Sequence, residues 1–227
     1  MKQRTFYTEL AYILGLLVLA IGTALMERAD FGVSMVVAPA YLLHLKISQY
    51  LPFFTFGMAE YTLQAVVLLL TMVLLRRVKL SYCFSFVTAV LYGFLLDGSI
   101  AAIAWLPMDG TVGRLVFFAA GMVLCSVGVS LLFHTYIPPE AYELFVKEVS
   151  AKFGMDIHRF KTIYDCVSCL LAIALSFAFF GLWHFEGVKL GTVFCALVNG
   201  TLISGCTSVL ERFWHFRDGL PFRRRLQ

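Results

Sequence analysis

Five polar side chains sit inside runs that are otherwise apolar. Glu60 and Gln64 fall within Leu51 to Leu75, Asp97 within Leu80 to Leu106, Asp165 within Thr162 to Phe185, and Asn199 within Leu190 to Leu210. An ionisable group at the centre of a membrane span costs roughly 2.5–3.5 kcal/mol on insertion scales, so each acid calls for a partner, water or a task. A carboxylate withdrawn from water favours its neutral form, which suits it to exchange a proton or to hold a cation. Glu60 and Gln64 are one helical turn apart and share a face. Asp97 is flanked by Gly93 and Gly98, where another backbone can come close. Each residue has a structural alternative. Glu60 could reach outer headgroups, Asp165 could be an interfacial acid beside Arg159 or Lys161, and Asn199 could be hydrogen-bonding glue between helices.

The elements that must position these residues are membrane helices. A chain of 227 residues with 60% hydrophobic and only 14% charged residues is far from a soluble domain, where about 25% is charged. Crossing a bilayer takes about 20 apolar residues. Six runs qualify: Leu10 to Met26, Leu51 to Leu75, Leu80 to Leu106, Leu115 to Ile137, Thr162 to Phe185 and Leu190 to Leu210. With the N-terminus inside, the inner segments carry Lys2, Arg4, Arg76, Arg77, Lys79, Lys147, Lys152, Arg159, Lys161, Arg212, Arg217, Arg223, Arg224 and Arg225. The outer ones carry only Arg28, Lys46, Arg114 and Lys189. That asymmetry predicts two cytoplasmic termini, and Trp105, Trp183 and Trp214 at span ends agree with it. The net charge of +4 is then a topology signal, and no nucleic-acid partner is expected.

Two connections are long. Glu27 to Tyr50 contains an apolar stretch too short to cross, read as a re-entrant or interfacial helix broken near Pro39. Thr135 to Phe160 begins with Pro138 and Pro139, which should end the fourth span and start an amphipathic helix, either a surface helix or a gate. Asp30 and Gly32, with Pro138 and Pro139, are the candidate gate or loop residues.

Shifts of 105 to 107 residues bring Gly57 to Tyr61 onto Thr162 to Cys166, so that Glu60 meets Asp165, and bring Gly93 onto Gly200. The order of span, long connection, acid-bearing span and glycine-bearing span recurs in both halves. The expected fold is therefore all-α, six transmembrane helices in two three-helix repeats, residues 1–110 and 111–227. An odd number of spans per repeat inverts the second against the first, the architecture of many secondary transporters.

The blocks GTALMERADFGVS, EAYELFVKEVSAKFG followed by KTIYDCVSCLLA, and GTVFCALVNGTLI resemble the recurring blocks of the YczE/YyaS/YitT-type bacterial integral membrane proteins. The resemblance runs over nearly the whole chain and is most specific at Ala29 to Gly32 and Lys161 to Asp165. It implies a small multi-pass protein of the bacterial cytoplasmic membrane. Ser34 and Met35 stand where those relatives carry a proline, so the loop shape is not carried over.

The expected function is a small secondary transporter, with proton coupling as one energy source and Glu60, Gln64, Asp97, Asp165 and Asn199 lining the site. The partners are the bilayer and a small molecule, with a homo-oligomer compatible with the sequence. Two rivals stand beside it. One is a binding subunit docking through Ala20 and Ala24; the other is a scaffold or regulator acting through the Arg223 to Arg225 tail or the helix near Pro139. Cys166 and Cys169 have redox spacing but read as packing residues, and the five histidines show no metal-ligand spacing. No phosphate loop or nucleophile elbow is present, so neither an enzyme nor a cofactor or metal is expected.

Overall fold

The computed structural model describes residues 4–107, 110–181 and 188–219. In chain order, these form strand β1 (Arg4–Tyr7), helices α1 (Thr8–Ala29), α2 (Ala38–Ile47), α3 (Phe56–Leu75), α4 (Leu80–Ile103), α5 (Gly110–Phe133), α6 (Ala141–Phe153), α7 (Ile157–Phe180) and α8 (Leu190–Phe213), and strand β2 (Trp214–Arg217). Six of the helices, all but α2 and α6, are long and apolar enough to cross a membrane.

Local chemistry corrects several expected boundaries. The second span starts at Phe56, not Leu51, because the Thr55 side chain accepts a hydrogen bond from the Met58 amide and so caps the helix. Asp156 does the same for α7 by accepting from the Arg159 amide, moving that start from Thr162 to Ile157. The same helix stops at Phe180, where Gly181 takes φ 90°; the expected end at Phe185 lies outside the described residues, as do Trp183 and the Arg223 to Arg225 tail. Helix α4 ends at Ile103 rather than Leu106. Helix α5 runs from Gly110 to Phe133 rather than from Leu115 to Ile137, and both prolines lie in the following connection. Pro39 does not break a helix. It stands in the first turn of α2, where its missing N–H costs nothing.

At the centre, α1 and α5 make the most extensive packing in the molecule. Glycines permit it: a Cβ on Gly22 would lie 2.8 Å from the Gly121 carbonyl oxygen, and one on Gly128 would lie 2.9 Å from that of Gly15. The other helices pack in corresponding pairs: α1 on α4 and α5 on α8, then α3 on α6 and α2 on α7. One pair breaks the pattern. Helices α3 and α4 cross tightly where Gly57 meets Gly93, while α7 and α8 barely touch among the described residues.

Ala20 and Ala24, the docking face of the binding-subunit rival, are fully buried in the core with Tyr92 and Leu96. On α8 the stripe Ala196, Gly200, Ser204 and Ser208 is exposed, whereas Gly191 and Cys195 of the adjacent stripe are buried and Asn199 is half-buried. The small stripe therefore does not pack within the chain, because α8 meets its neighbour α5 along the other face. Strands β1 and β2 pair in parallel, Arg4 opposite Trp214 and Tyr7 opposite Arg217, which sets both ends of the described chain on one face of the bundle. The ends of α3 and α5 and the start of α4 share this terminal face, and Asp30, Trp105 and Lys189 mark the opposite one.

Candidate functional site

Two short segments meet in mid-bundle. Gln64, fully buried on α3, donates through Nε2 to Oε1 of Glu60 at 3.3 Å and to Oε2 of Glu140 at 3.1 Å. Its own Oε1 accepts from the Ala141 amide at 3.0 Å, so the backbone of α6 fixes which way the side-chain amide points. Glu60 is fully buried, and Glu140 is 8% exposed. Among the described residues, Oε2 of Glu60, Oε1 of Glu140 and the Tyr142 hydroxyl have no partner in hydrogen-bond geometry, although Glu60 and Tyr142 face each other. Burial, with Glu143 nearby, pushes the Glu140 carboxyl up to about 8, against the Gln64 hydrogen bond and the Lys161 charge. Burial and then Glu60 hold the Tyr142 phenol well above its ordinary value, so it stays a neutral donor.

Glu140 reaches this depth because of what precedes it. Pro138 and Pro139 have no N–H and cannot extend α5, so the connection leaves the helix. Its carbonyls are caught by α4: Thr88 Oγ1 lies 3.2 Å from the Pro138 oxygen, and Ser85 donates to that of Pro139. Tyr12 of α1 lies 2.8 Å from Thr88 and closes this anchor. Helix α6 then runs from Gln64 to the terminal face, where Lys152 donates to the Leu74 carbonyl. There Glu148 receives Lys79 at 2.7 Å and Arg77 at 2.9 Å.

Glu140 and Tyr142 line a cavity of about 70 Å³. Ser34, Val36 and Val37 before α2, with Thr23, Tyr92, Cys125, Lys161 and Asn199, complete much of its wall. Thr23 and Tyr92 hydroxyls lie 2.9 Å apart, and Asn199 is 3.2 Å from Ser126. On the terminal face, a wider recess of about 540 Å³ is lined by Thr8, Lys79, His134, Tyr136, Lys147 and Glu148. The recess and the cavity share Phe133 and Pro139, so a thin wall separates them. The opposite end is closed by ions: Asp30 receives Arg114 at 2.8 Å and also Lys189, and the Gly191 amide donates to the Phe31 carbonyl at 3.0 Å. Gly32, at φ 114°, lies so tightly against Thr192 that a Cβ would strike its hydroxyl.

Of the residues singled out from sequence, Glu60 and Gln64 join the central cluster and Asn199 lines the cavity. Pro138 and Pro139 form its approach, and Asp30 and Gly32 belong to the opposite closure. Asp97 is elsewhere: its carboxylate accepts from Thr55 Oγ1 at 2.6 Å and from the Gly57 amide at 2.8 Å, tying α4 to the start of α3. Asp165 sits 3.5 Å from Lys161, which also pairs with Glu143 at 2.9 Å. Sequence reasoning passed over Glu140 because it stands in a connection. The available signal was an acid directly after two prolines. Among the described residues, no group of three metal-type ligands occurs.

A family model matches residues 6–208, and the chain belongs to that family, a family of unknown function (DUF6198). No curated protein and no solved structure matches the chain.

Proposed function

We propose that this member of a family of unknown function is a small secondary transporter of the bacterial cytoplasmic membrane, with the Glu60–Gln64–Glu140 cluster as its coupling centre. The observation that carries this reading is the cluster itself. Two buried acids from opposite halves of the chain share one amide and keep open oxygens, and one of them, Glu140, lines a small cavity one wall away from an open recess. Buried acids without counter-ions are expensive in a membrane, and a proton relay or a substrate site is what such groups serve.

The halves act as inverted repeats in this reading, α1 to α4 against α5 to α8. The matched pairs of packed helices support it, as do α2 and α6, each placed between the first and second long helices of its half. Both short helices are taken as re-entrant, since the segments before them reach the central cavity. The basic residues put the terminal face in the cytoplasm. The conformation is then closed outside by Asp30, Arg114 and Lys189 and recessed inside. The blocks quoted from the sequence support kinship with the YczE/YyaS/YitT-type proteins.

Reconstitution tests this. Proteoliposomes loaded with a pH-sensitive dye are challenged with amines, carboxylates, sugars and nucleosides in turn. Proton movement evoked by one class in the wild type, and lost in Glu60→Gln and Glu140→Gln, is the expected result. Unchanged movement in both variants would remove the coupling centre. Binding with no movement would favour the membrane-embedded binding subunit.

A further inference from the structure

The cavity's walls have a distinct charge and polarity, and they point to what fits inside. Two carboxylates, Glu140 and Glu143, line it with the single cation Lys161, and two more stand behind them, Glu60 joined to Gln64 and Asp165 to Lys161. Lys161 is already held by Glu143 at 2.9 Å and Asp165 at 3.5 Å, so its charge is spent. No ion pair reaches Glu60 or Glu140 among the described residues. The N-termini of α2 and α6 both begin at the cavity, and each brings roughly half a positive charge. Together they offset about one carboxylate; with Lys161 shared by Glu143 and Asp165, an ionised Glu140 is left without a counter-charge. The rest of the wall mixes apolar side chains, among them Val36, Val37, Val129 and Ile203, with the polar groups of Thr23, Ser34, Tyr92 and Asn199.

Size narrows the choice further. At about 30 Å³ per liquid water, the cavity of about 70 Å³ holds roughly two or three waters, the room of one small molecule. A ligand of four or five heavy atoms fits.

Resting on the transporter reading above, we infer that the cavity takes a small organic monocation, an alkylammonium or guanidinium, with its N–H groups at Oε1 of Glu140 and the Tyr142 hydroxyl and its carbon side against Val36 and Val37. One carboxylate cannot hold both a proton and this cation. Cation entry therefore releases the Glu140 proton toward the recess behind Pro139, which makes the two ions alternate at one site. The groups facing Glu140 are Glu60 and Gln64 of α3, Glu143 and Tyr142 of α6, Lys161 of α7, Tyr92 of α4, Tyr12 of α1 and Cys125 of α5. Burial pushes the Glu140 carboxyl up to about 8, so its proton and the cation compete near neutral pH.

Thermal unfolding of the full chain in detergent, with propylammonium or guanidinium added at millimolar concentration, reads the binding directly. The neutral isosteres propanol and urea, with sodium and potassium, are the comparison arms. The expected result is a raised Tm with the organic cations only, an affinity that rises about tenfold per pH unit as pH climbs toward about 8 and levels above it, loss of the shift in Glu140→Gln, and a reduced shift in Glu140→Asp. The aspartate variant, which keeps the charge, separates lost recognition from poor folding. Equal shifts with isosteres or alkali ions would overturn the inference, as would a full shift in Glu140→Gln or no shift with either cation. Cation binding without proton movement in proteoliposomes would instead sink the transporter reading and leave the ligand class standing.

Discussion

Nε2 of Gln64 lies 3.1 Å from Oε2 of Glu140, a hydrogen bond between residues 76 positions apart in the chain. The same amide also reaches Glu60, and its oxygen takes the Ala141 N–H, so one side chain satisfies three groups. Replacing it with the near-isosteric leucine strands two buried carboxylates and a backbone donor. Each stranded group costs about 1–3 kcal/mol, more if charged. Gln64→Leu should therefore lower Tm sharply, with Gln64→Asn intermediate at most, as measured by thermal unfolding.

The Glu140 carboxyl stands at about 8 in the folded chain against an ordinary 4.5. Between those values the folded form binds a proton that the unfolded form has lost, so stability falls as pH rises from the lower value through the higher, then levels. The penalty is at most several kcal/mol. Glu140→Gln should flatten this slope and leave the variant more stable than the wild type above about 8. Tm measured across the window decides it; an unchanged slope would show that another group carries the dependence.

Glycine substitutions should separate the two membrane-crossing seams. A methyl at Gly57 runs into the Gly93 carbonyl, and one at Gly93 lies 2.8 Å from the Gly57 oxygen. Gly57→Ala and Gly93→Ala should each cost about 1–3 kcal/mol through overpacking. Gly98 and Gly200 meet nothing within 4 Å, so Gly98→Ala and Gly200→Ala should stay within about 0.5 kcal/mol of the wild type.

Asp97 should matter for folding and not for ligand recognition. Removing its carboxylate leaves the Gly57 amide and the Thr55 hydroxyl without acceptors at the start of α3. Asp97→Ala is expected to lose about 1–3 kcal/mol, while the folded fraction keeps the cation-dependent Tm shift. Loss of that shift in a well-folded variant would return Asp97 to the binding site.

Asp30→Asn keeps a residue that tolerates the left-handed backbone at φ 55° but removes the charge holding Arg114 and Lys189. Exposed pairs of this kind contribute about 0–1 kcal/mol, so stability should hardly move. Access should change instead. In a chain retaining only Cys125, which lines the cavity, an impermeant maleimide applied from the Asp30 side should label the variant faster than its parent.

Hydropathy made the six long helices legible, because lipid burial is written in residue type alone. It missed the starts at Phe56 and Ile157, since Thr55 and Asp156 act by closing backbone donors, which a hydropathy average does not register. Glu60 and Gln64 were visible as a shared face. Their third partner was not, because Glu140 gains its depth from carbonyl contacts of Pro138 and Pro139 with α4, and a connection's path is a tertiary property. Asp97 drew attention for its depth in an apolar run, yet its partners come from 42 and 40 residues earlier in the chain. The stripe on α8 illustrates the same limit, since small residues at helical spacing define a smooth face without saying what lies against it.

The β1 and β2 ribbon joins the first described residues to the last. During synthesis Arg4 to Tyr7 leave the ribosome early and wait, edges unpaired, until Trp214 to Arg217 follow all six long helices. The ribbon therefore cannot close before all six long helices have been made, and a chain cut before Trp214 would leave its first segment untied.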